Sequence, residues 1–315
     1  MTTLFKTHSK RFSNYKEFIK NNKPISYIKK SETVALFTNA RDEIHIREWA
    51  AHHLLLGFDY IFIADHKSTT PLKYIFYNFD KRVKTFKCTI DGAIKLPLMN
   101  KAIQIAKQHN VDWFIYLDAD EFIVLNNPSM TNIKHFLHYF NFADMVGINW
   151  LMFGSNFLEN EPPNILSHYT KSELLLDKHI KTFVRPNEAL FAETPHSYNI
   201  RNPSNFFCYN KRMNTVTSYN EYPIPFYKSP IYIAHYSVQS KESFIKRKIN
   251  LPTDDTVQFR NKKMIDTIHS SYNAVENNQP HTLYSQKVQE FLQQYAIPLP
   301  SSHDQLTDST PYQDS

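Results

Sequence analysis

Apolar and polar positions follow a regular order along the first 125 residues. A short β-prone run at 33–37 gives way to a polar loop at 38–42. From residue 43 the positions Ile44, Ile46, Trp49, Ala50, His53 and Leu54 recur every three or four residues. That is the spacing of one helical face, and Gly57 is a natural stop for it. Residues 60–64 predict a second strand, ending in Asp65-His66-Lys67-Ser68. A helix is expected at 71–78, a third strand at 83–88 and an amphipathic helix at 96–109. Residues 113–117, Trp-Phe-Ile-Tyr-Leu, are nearly all apolar, as suits a strand buried on both faces. Beyond them the pattern predicts a helix at 132–140, strands at 145–150, 180–186 and 231–236, and a basic helix at 241–249.

Strands alternating with helices are the grammar of a doubly wound α/β sheet, mostly parallel and flanked by helices. Ligands of such sheets collect at the carboxyl ends of the strands. Here those ends carry polar groups: Asn39 and Arg41 after the first strand, Asp65 after the second, and Asp118, Asp120 and Glu121 after the fourth. A buried strand ending in three acids is informative, because an unpaired charge does not stay at the edge of a core without compensation. Asp118 and Asp120 are two apart, so in extended geometry their side chains leave on the same side. Paired carboxylates of that kind suit a hard cation, Mn²⁺ or Mg²⁺. The plainer alternative is a polar turn after a strand.

Composition narrows the chemistry. Only Gly57, Gly92, Gly147 and Gly154 are present among 315 residues, which removes a P-loop and a Rossmann fingerprint. A bound diphosphate would then need a metal or basic side chains instead of a glycine-rich cradle. Cys88 and Cys208 form neither a disulfide framework nor a zinc pattern, which predicts a reducing, cytoplasmic setting. No apolar run approaches the roughly 18 residues of a membrane span, and the amino terminus shows no apolar signal region. The net charge is +6, and residues 1–30 hold most of the excess as a basic lead-in. That lead-in suits peripheral contact with the anionic inner face of a membrane. A second cluster, Lys241, Lys246, Arg247 and Lys248, reads as a solvated face. No zinc finger, RRM or basic-helix signature supports a nucleic-acid partner. Residues 298–315, rich in Ser, Asp, Thr, Pro and Gln, read as a disordered tail, and 251–297 as a helical extension.

Several motifs in fixed order carry a resemblance. They are Asn-Ala-Arg-Asp-Glu at 39–43, Glu48-Trp49 with His52-His53, Leu56-Gly57-Phe58-Asp59, Asp65-His66-Lys67-Ser68 and Leu117-Asp118-Ala119-Asp120-Glu121-Phe122. Trp150 with Phe153-Gly154-Ser155, Lys181 with Val184-Arg185-Pro186 and His196, and His235-Tyr236-Ser237 with Lys241 follow. Together they resemble GT-A glycosyltransferases, more narrowly the family 2 and family 92 group, over a domain at 31–250. The chain departs from the group at Asp42, where Asn is usual, and at Thr69-Thr70, where an acid is usual.

The resemblance implies transfer of a hexose from a nucleotide-sugar donor, UDP-linked, to a glycan or glycolipid acceptor, assisted by Mn²⁺ or Mg²⁺. It implies that Asp120 binds the metal, with Asp118 beside the ribose or the metal's water shell, and His235 as a further ligand. Asn39, Arg41 and Asp65 would hold the nucleotide. Lys95 and Arg185 are candidates to neutralise phosphate. An inverting transfer needs a base for the acceptor hydroxyl, and Glu193 and His196 are the first candidates, with Asp254 and Asp255 in reserve; a retaining one needs none. A metal-dependent phosphoryl-transfer enzyme or nuclease would use the same acids, Asp118, Asp120 and Glu121, around two metals. A carbohydrate-binding protein with a decayed site would have lost them.

Overall fold

The computed structural model describes residues 32–295, so the lead-in at 1–30 and the tail at 298–315 lie outside the described residues. The chain runs β1 (Val34–Ala40), α1 (Ile46–Leu55), β2 (Tyr60–Asp65), α2 (Leu72–Ile75), β3 (Val83–Lys87), α3 (Lys95–Gln108), β4 (Trp113–Tyr116), β5 (Glu121–Leu125), α4 (Ile133–Tyr139) and β6 (Met145–Met152). It continues through β7 (Lys171–Ser172), β8 (Ile180–Val184), β9 (Ala189–Thr194), β10 (Ser197–Ile200), β11 (Phe206–Cys208) and β12 (Ile231–His235). Last come α5 (Lys241–Phe244), a π-helical turn (Ile245–Ile249), α6 (Ile265–His269), β13 (Val275–Glu276) and α7 (Gln286–Gln293).

Nine strands form one sheet in the order β3-β2-β1-β4-β8-β6-β12-β5, with β11 also on β6. The first four are parallel, as their alternation with helices predicts. β6, β11 and β12 run the same way, whereas β8 and β5 run against them. The sheet is therefore mixed and mostly parallel, not parallel throughout. Its curl follows from chain length. β4 ends at Tyr116 and β5 begins at Glu121, yet β8, β6 and β12 lie between them in the sheet. Four strand spacings are roughly 19 Å on a flat sheet, while five residue steps reach at most about 17 Å fully extended. The link is in fact folded, with Glu121 N–H donating to Asp118 O at 3.0 Å. The sheet bends round until its β5 end returns beside β4.

Side-chain alternation divides the core into two layers. Val34, Leu36, Ile61, Ile63, Trp113 and Ile115 pack with Trp49 and Leu54 of α1 and Phe136 of α4. Ala35, Phe37, Phe62, Phe114 and Tyr116 face the other way, onto Leu98, Met99, Ala102 and Ile103 of α3 and Tyr198 of the β9–β10 hairpin. Gly57 allows the chain to leave α1 at a φ of +93°, and a Cβ there would stand 2.0 Å from Asn132 Nδ2. That Asn132 caps α4 by accepting from Lys134 N–H at 2.8 Å.

Three expectations change. Ile44 is 66% exposed, because α1 starts at Ile46 and leaves it in the preceding turn. The helix expected at 71–78 is the single turn of α2. The basic helix at 241–249 is α-helical only to Phe244, then widens into the π turn. Among the described residues no helix is long and apolar enough to cross a membrane.

Candidate functional site

The carboxyl ends of β1, β4, β6 and β12 share one edge of the sheet, and β5 and β8, running the other way, bring their amino ends to it. Asn39, Asp118, Trp150, His235, Glu121 and Lys181 meet there for that reason. A cavity of ≈ 430 Å³ opens on this edge, lined among others by Asn39, Arg41, Lys95, Asp118, His196 and His235. That is the size range of small-molecule sites. Residues 251–255 form its far wall.

The acids sit in a turn, not in extended chain, so Asp118 and Asp120 part company. Asp118 turns to Lys95 and Lys181: Lys95 Nζ donates to one of its oxygens and Lys181 Nζ to the other, the latter at 3.0 Å. Burial opposes ionisation here, but the ammonium groups of Lys181 and Lys95 hold the Asp118 carboxyl far below the ordinary carboxylate range. Asp120, 1% exposed, turns to the π turn instead. Its Oδ2 accepts from Lys248 Nζ at 2.9 Å and from Arg247 Nη2 at 3.2 Å, and its Oδ1 faces His235 Nε2 at 3.6 Å. Against burial, Lys248, His235 and Arg247 likewise keep it ionised. Glu121 turns back on the chain, accepting from Asp118 N–H at 2.8 Å, with its other oxygen 3.6 Å from Lys181 Nζ. Complete burial pushes it up to about 7 against the pull of Lys181.

α1 holds this turn from behind. Trp49 Nε1 donates to Glu121 O at 2.8 Å, and His52 Nε2 bonds Ile123 O at 2.8 Å. Ile123 N–H donates to His53 Nε2 at 3.4 Å, and Leu125 N–H to Tyr284 Oη at 2.9 Å. Burial lowers both imidazoles, His52 to about 4, so they serve as neutral bonding groups. Glu48 accepts from Ile165 and Leu166 N–H at 2.7 and 3.0 Å, fastening the segment that crosses over α1. The Glu-Trp-His-His signature thus acts as a brace for the acid turn and β5.

Placement of the other expected residues is uneven. Asn39 donates to Asp254 Oδ2 at 2.6 Å and accepts from Lys95 Nζ at 2.8 Å and Tyr116 Oη at 3.0 Å. Arg41 is half-buried on the cavity wall, with an unpartnered Nε. Asp65 is buried away from the cavity, where it accepts from Ser68 N–H at 3.1 Å and Leu72 N–H at 2.9 Å and so starts α2. Glu193 is exposed on β9 beside Asn199, outside the cavity lining. Asp254 lies inward, its carbonyl accepting from Ile94 and Lys95 N–H at the start of α3, while Asp255 stands exposed on the rim. Arg185 lies far from the acids, stacked 4.1 Å from the Trp113 ring and paired with Glu32.

His196 does reach the cavity. Its Nδ1 donates to Ile180 O at 2.9 Å, which leaves Nε2 as the acceptor face of a neutral ring. Burial, followed by the field of Lys181, lowers it to about 4. Its ring is 5.0 Å from Trp150, which also contacts His179 and His235 and has a buried, unpartnered Nε1.

Lys181, Arg247 and Lys248 were not among the expected site residues. Lys181 is 1% exposed, and the other two leave the solvated face assigned to their cluster to pair with Asp120. The signal for them was the acids: three carboxylates in a buried turn require cations nearby.

A divalent ion does not fit this donor set. Asp118 has both oxygens bound to lysines, and Asp120 offers one free oxygen opposite His235. Among the described residues no group of three or more His, Cys, Asp or Glu side chains is arranged to hold a metal. An ion on Asp120 would also crowd Arg247 and Lys248. A divalent and a unit charge about 4 Å apart repel by roughly 8 kcal/mol at an effective dielectric constant near 20.

No family model matches the chain, and no curated protein matches it in sequence. Among solved structures, a cytidylyltransferase from Leptospira borgpetersenii is similar over 58% of this chain and 79% of its own, with 12% identity and a TM-score of 0.29. A superposition that loose says nothing about chemistry. What stands on this chain's own geometry is a mixed α/β protein with a polar cavity at the carboxyl edge of its mostly parallel sheet.

Proposed function

We propose that this cavity binds a nucleotide sugar and that the chain is a GT-A type glycosyltransferase acting on a glycan or glycolipid hydroxyl. The observation that carries the reading is the meeting of Asn39, Lys95, Asp118, Lys181 and His196 around one cavity where strands of an α/β sheet end. Asn39, Lys95 and Arg41 face the nucleotide and its phosphates, and the sugar lies toward Trp150. In the transfer, the bond from sugar C1 to the β-phosphate oxygen breaks and its electron pair stays on the diphosphate. C1 bonds to the acceptor oxygen, whose proton passes to His196 Nε2. The phosphoryl-transfer alternative needs Asp118, Asp120 and Glu121 about a common point, whereas Asp118 and Glu121 share Lys181 and Asp120 turns away to Arg247 and Lys248.

Calorimetric titration with a panel of nucleoside diphosphates and their sugars tests the reading. One nucleotide should bind, and its sugar should be slowly hydrolysed to free sugar and nucleoside diphosphate. Release of a nucleoside monophosphate would mean cleavage at phosphorus and would support the alternative, whereas no binding by any nucleotide rejects the site.

A pH profile tests the base. His196 is neutral above about pH 4, so the acid limb of kcat/KM should fall near 4 and not near the ordinary histidine value of about 6.5. His196→Gln should lower kcat by about 10²–10⁴-fold and abolish that limb. A limb unchanged in the variant would assign the base elsewhere.

A further inference from the structure

The geometry points to a diphosphate site whose counter-charge is Lys95, Lys181, Arg247 and Lys248 of the chain itself, in place of a divalent metal ion. This inference rests on the nucleotide-sugar reading above and assigns the phosphate-binding groups of that site. All four side chains line the cavity. Each is fixed before any ligand arrives. Lys181 Nζ is held by Asp118 at 3.0 Å, Pro195 O at 3.1 Å and Glu121 at 3.6 Å. Lys95 is held by Asp118 and Asn39. Asp120 holds Lys248 and Arg247, and Arg247 Nε also donates to Glu43 at 2.9 Å.

The two aspartates therefore act as anchors for cations and not as ligands. The four positive heads face Asp118 and Asp120, with Glu43 and Glu121 behind them, and N–H donors remain after those bonds: one each on Lys95 and Lys181, two on Lys248 and three on Arg247. With four glycines in the chain and no glycine-rich cradle, donors to phosphate have to be side chains. As C1–O breaks, the diphosphate gains one negative charge. Cations already in position stabilise that charge without reorganising. Lys248 and Arg247 reach the site because the π turn places neighbouring residues 247 and 248 on the same acid.

The test uses the intact chain and calorimetry with UDP, CDP, GDP and dTDP, each in EDTA and in Mn²⁺ or Mg²⁺. The dissociation constant of the nucleotide that binds should agree within about twofold with and without metal, and should weaken as salt rises. Lys248→Gln should weaken binding about tenfold or more in EDTA, and Lys248→Arg should restore most of it. Lys95→Met provides an independent second variant, and circular dichroism establishes that each variant is folded. Binding that appears only with Mn²⁺ or Mg²⁺ would overturn the cation array while leaving the nucleotide reading intact. Binding by Lys248→Gln and Lys95→Met equal to that of the native chain would also overturn it. No binding of any nucleotide, with or without metal, would overturn both.

Discussion

Lys181→Met is expected to destabilise the chain by about 3–5 kcal/mol, the usual cost of removing one partner from a buried ion pair. The ammonium it deletes is 1% exposed and serves Asp118, Glu121 and the Pro195 carbonyl together. The deficit should depend on pH, and the sign follows from the two acids. Asp118 is held low with Lys181 as its first cation, so its contribution is present at neutral pH and is lost as the pH falls through its folded value. Glu121 is raised to about 7, so its ionisation costs stability as the pH rises through 7, and removing Lys181 aggravates that cost. Between pH 5 and 8.5 the Asp118 part stays constant, and the Glu121 part makes the variant weakest above pH 7 and closer to the native chain at pH 5. Urea unfolding at pH 5, 7 and 8.5 measures this, and adding Glu121→Gln should recover about 1–3 kcal/mol at the highest pH. A deficit constant across this range would mean that Lys181 does not act through Glu121.

Glu48→Ala should have a comparable effect from the other side of α1. The substitution leaves the N–H groups of Ile165 and Leu166 buried without acceptors. Each orphaned donor costs about 1–3 kcal/mol, giving about 2–5 kcal/mol together. Glu48→Gln keeps one acceptor oxygen and should lose about half as much. Burial raises the Glu48 carboxyl above its ordinary value, with the two N–H bonds opposing, so the neutral amide is a fair replacement. Thermal or urea unfolding of the pair decides it: a loss under about 1 kcal/mol in Glu48→Ala would show that this carboxylate holds nothing in place.

Much of the frame could be read from residue pattern. Apolar runs at β1, β2 and β4 are continuous because both faces of those strands are covered, and their polar ends mark the cavity edge. Asn39 and Asp118 were legible for that reason, whereas Lys95, at the start of α3, entered only with the family resemblance. Asp65 looked equivalent, but a strand-end acid can as well start the next helix, and local N–H groups at Ser68 and Leu72 claim it. The partners of Asp120 were not legible. Arg247 and Lys248 lie about 130 residues away in sequence, on a turn whose π geometry leaves no apolar period to detect. Nor did spacing reveal that His52 and His53 bond to backbone, because histidines on a buried helical face look the same whether they bond to a peptide or to a ligand. The direction of β5 was likewise hidden, since Glu-Phe-Ile-Val-Leu reads equally well as a parallel or antiparallel strand.

The brace behind the acid turn also governs how copies of this chain meet one another. β5 ends the sheet, and an end strand ordinarily offers unpaired N–H and C=O groups to any extended chain that approaches. Here the groups at Glu121, Ile123 and Leu125 are already taken by an indole, two imidazoles and a phenol. At the opposite end, β3 exposes Lys84 and Lys87, so two such edges drawn together bring like charges face to face. One flank is closed by occupied hydrogen bonds and the other by repulsion. Strand pairing from molecule to molecule, the first step toward strand-paired aggregates, is disfavoured at these two ends of the sheet.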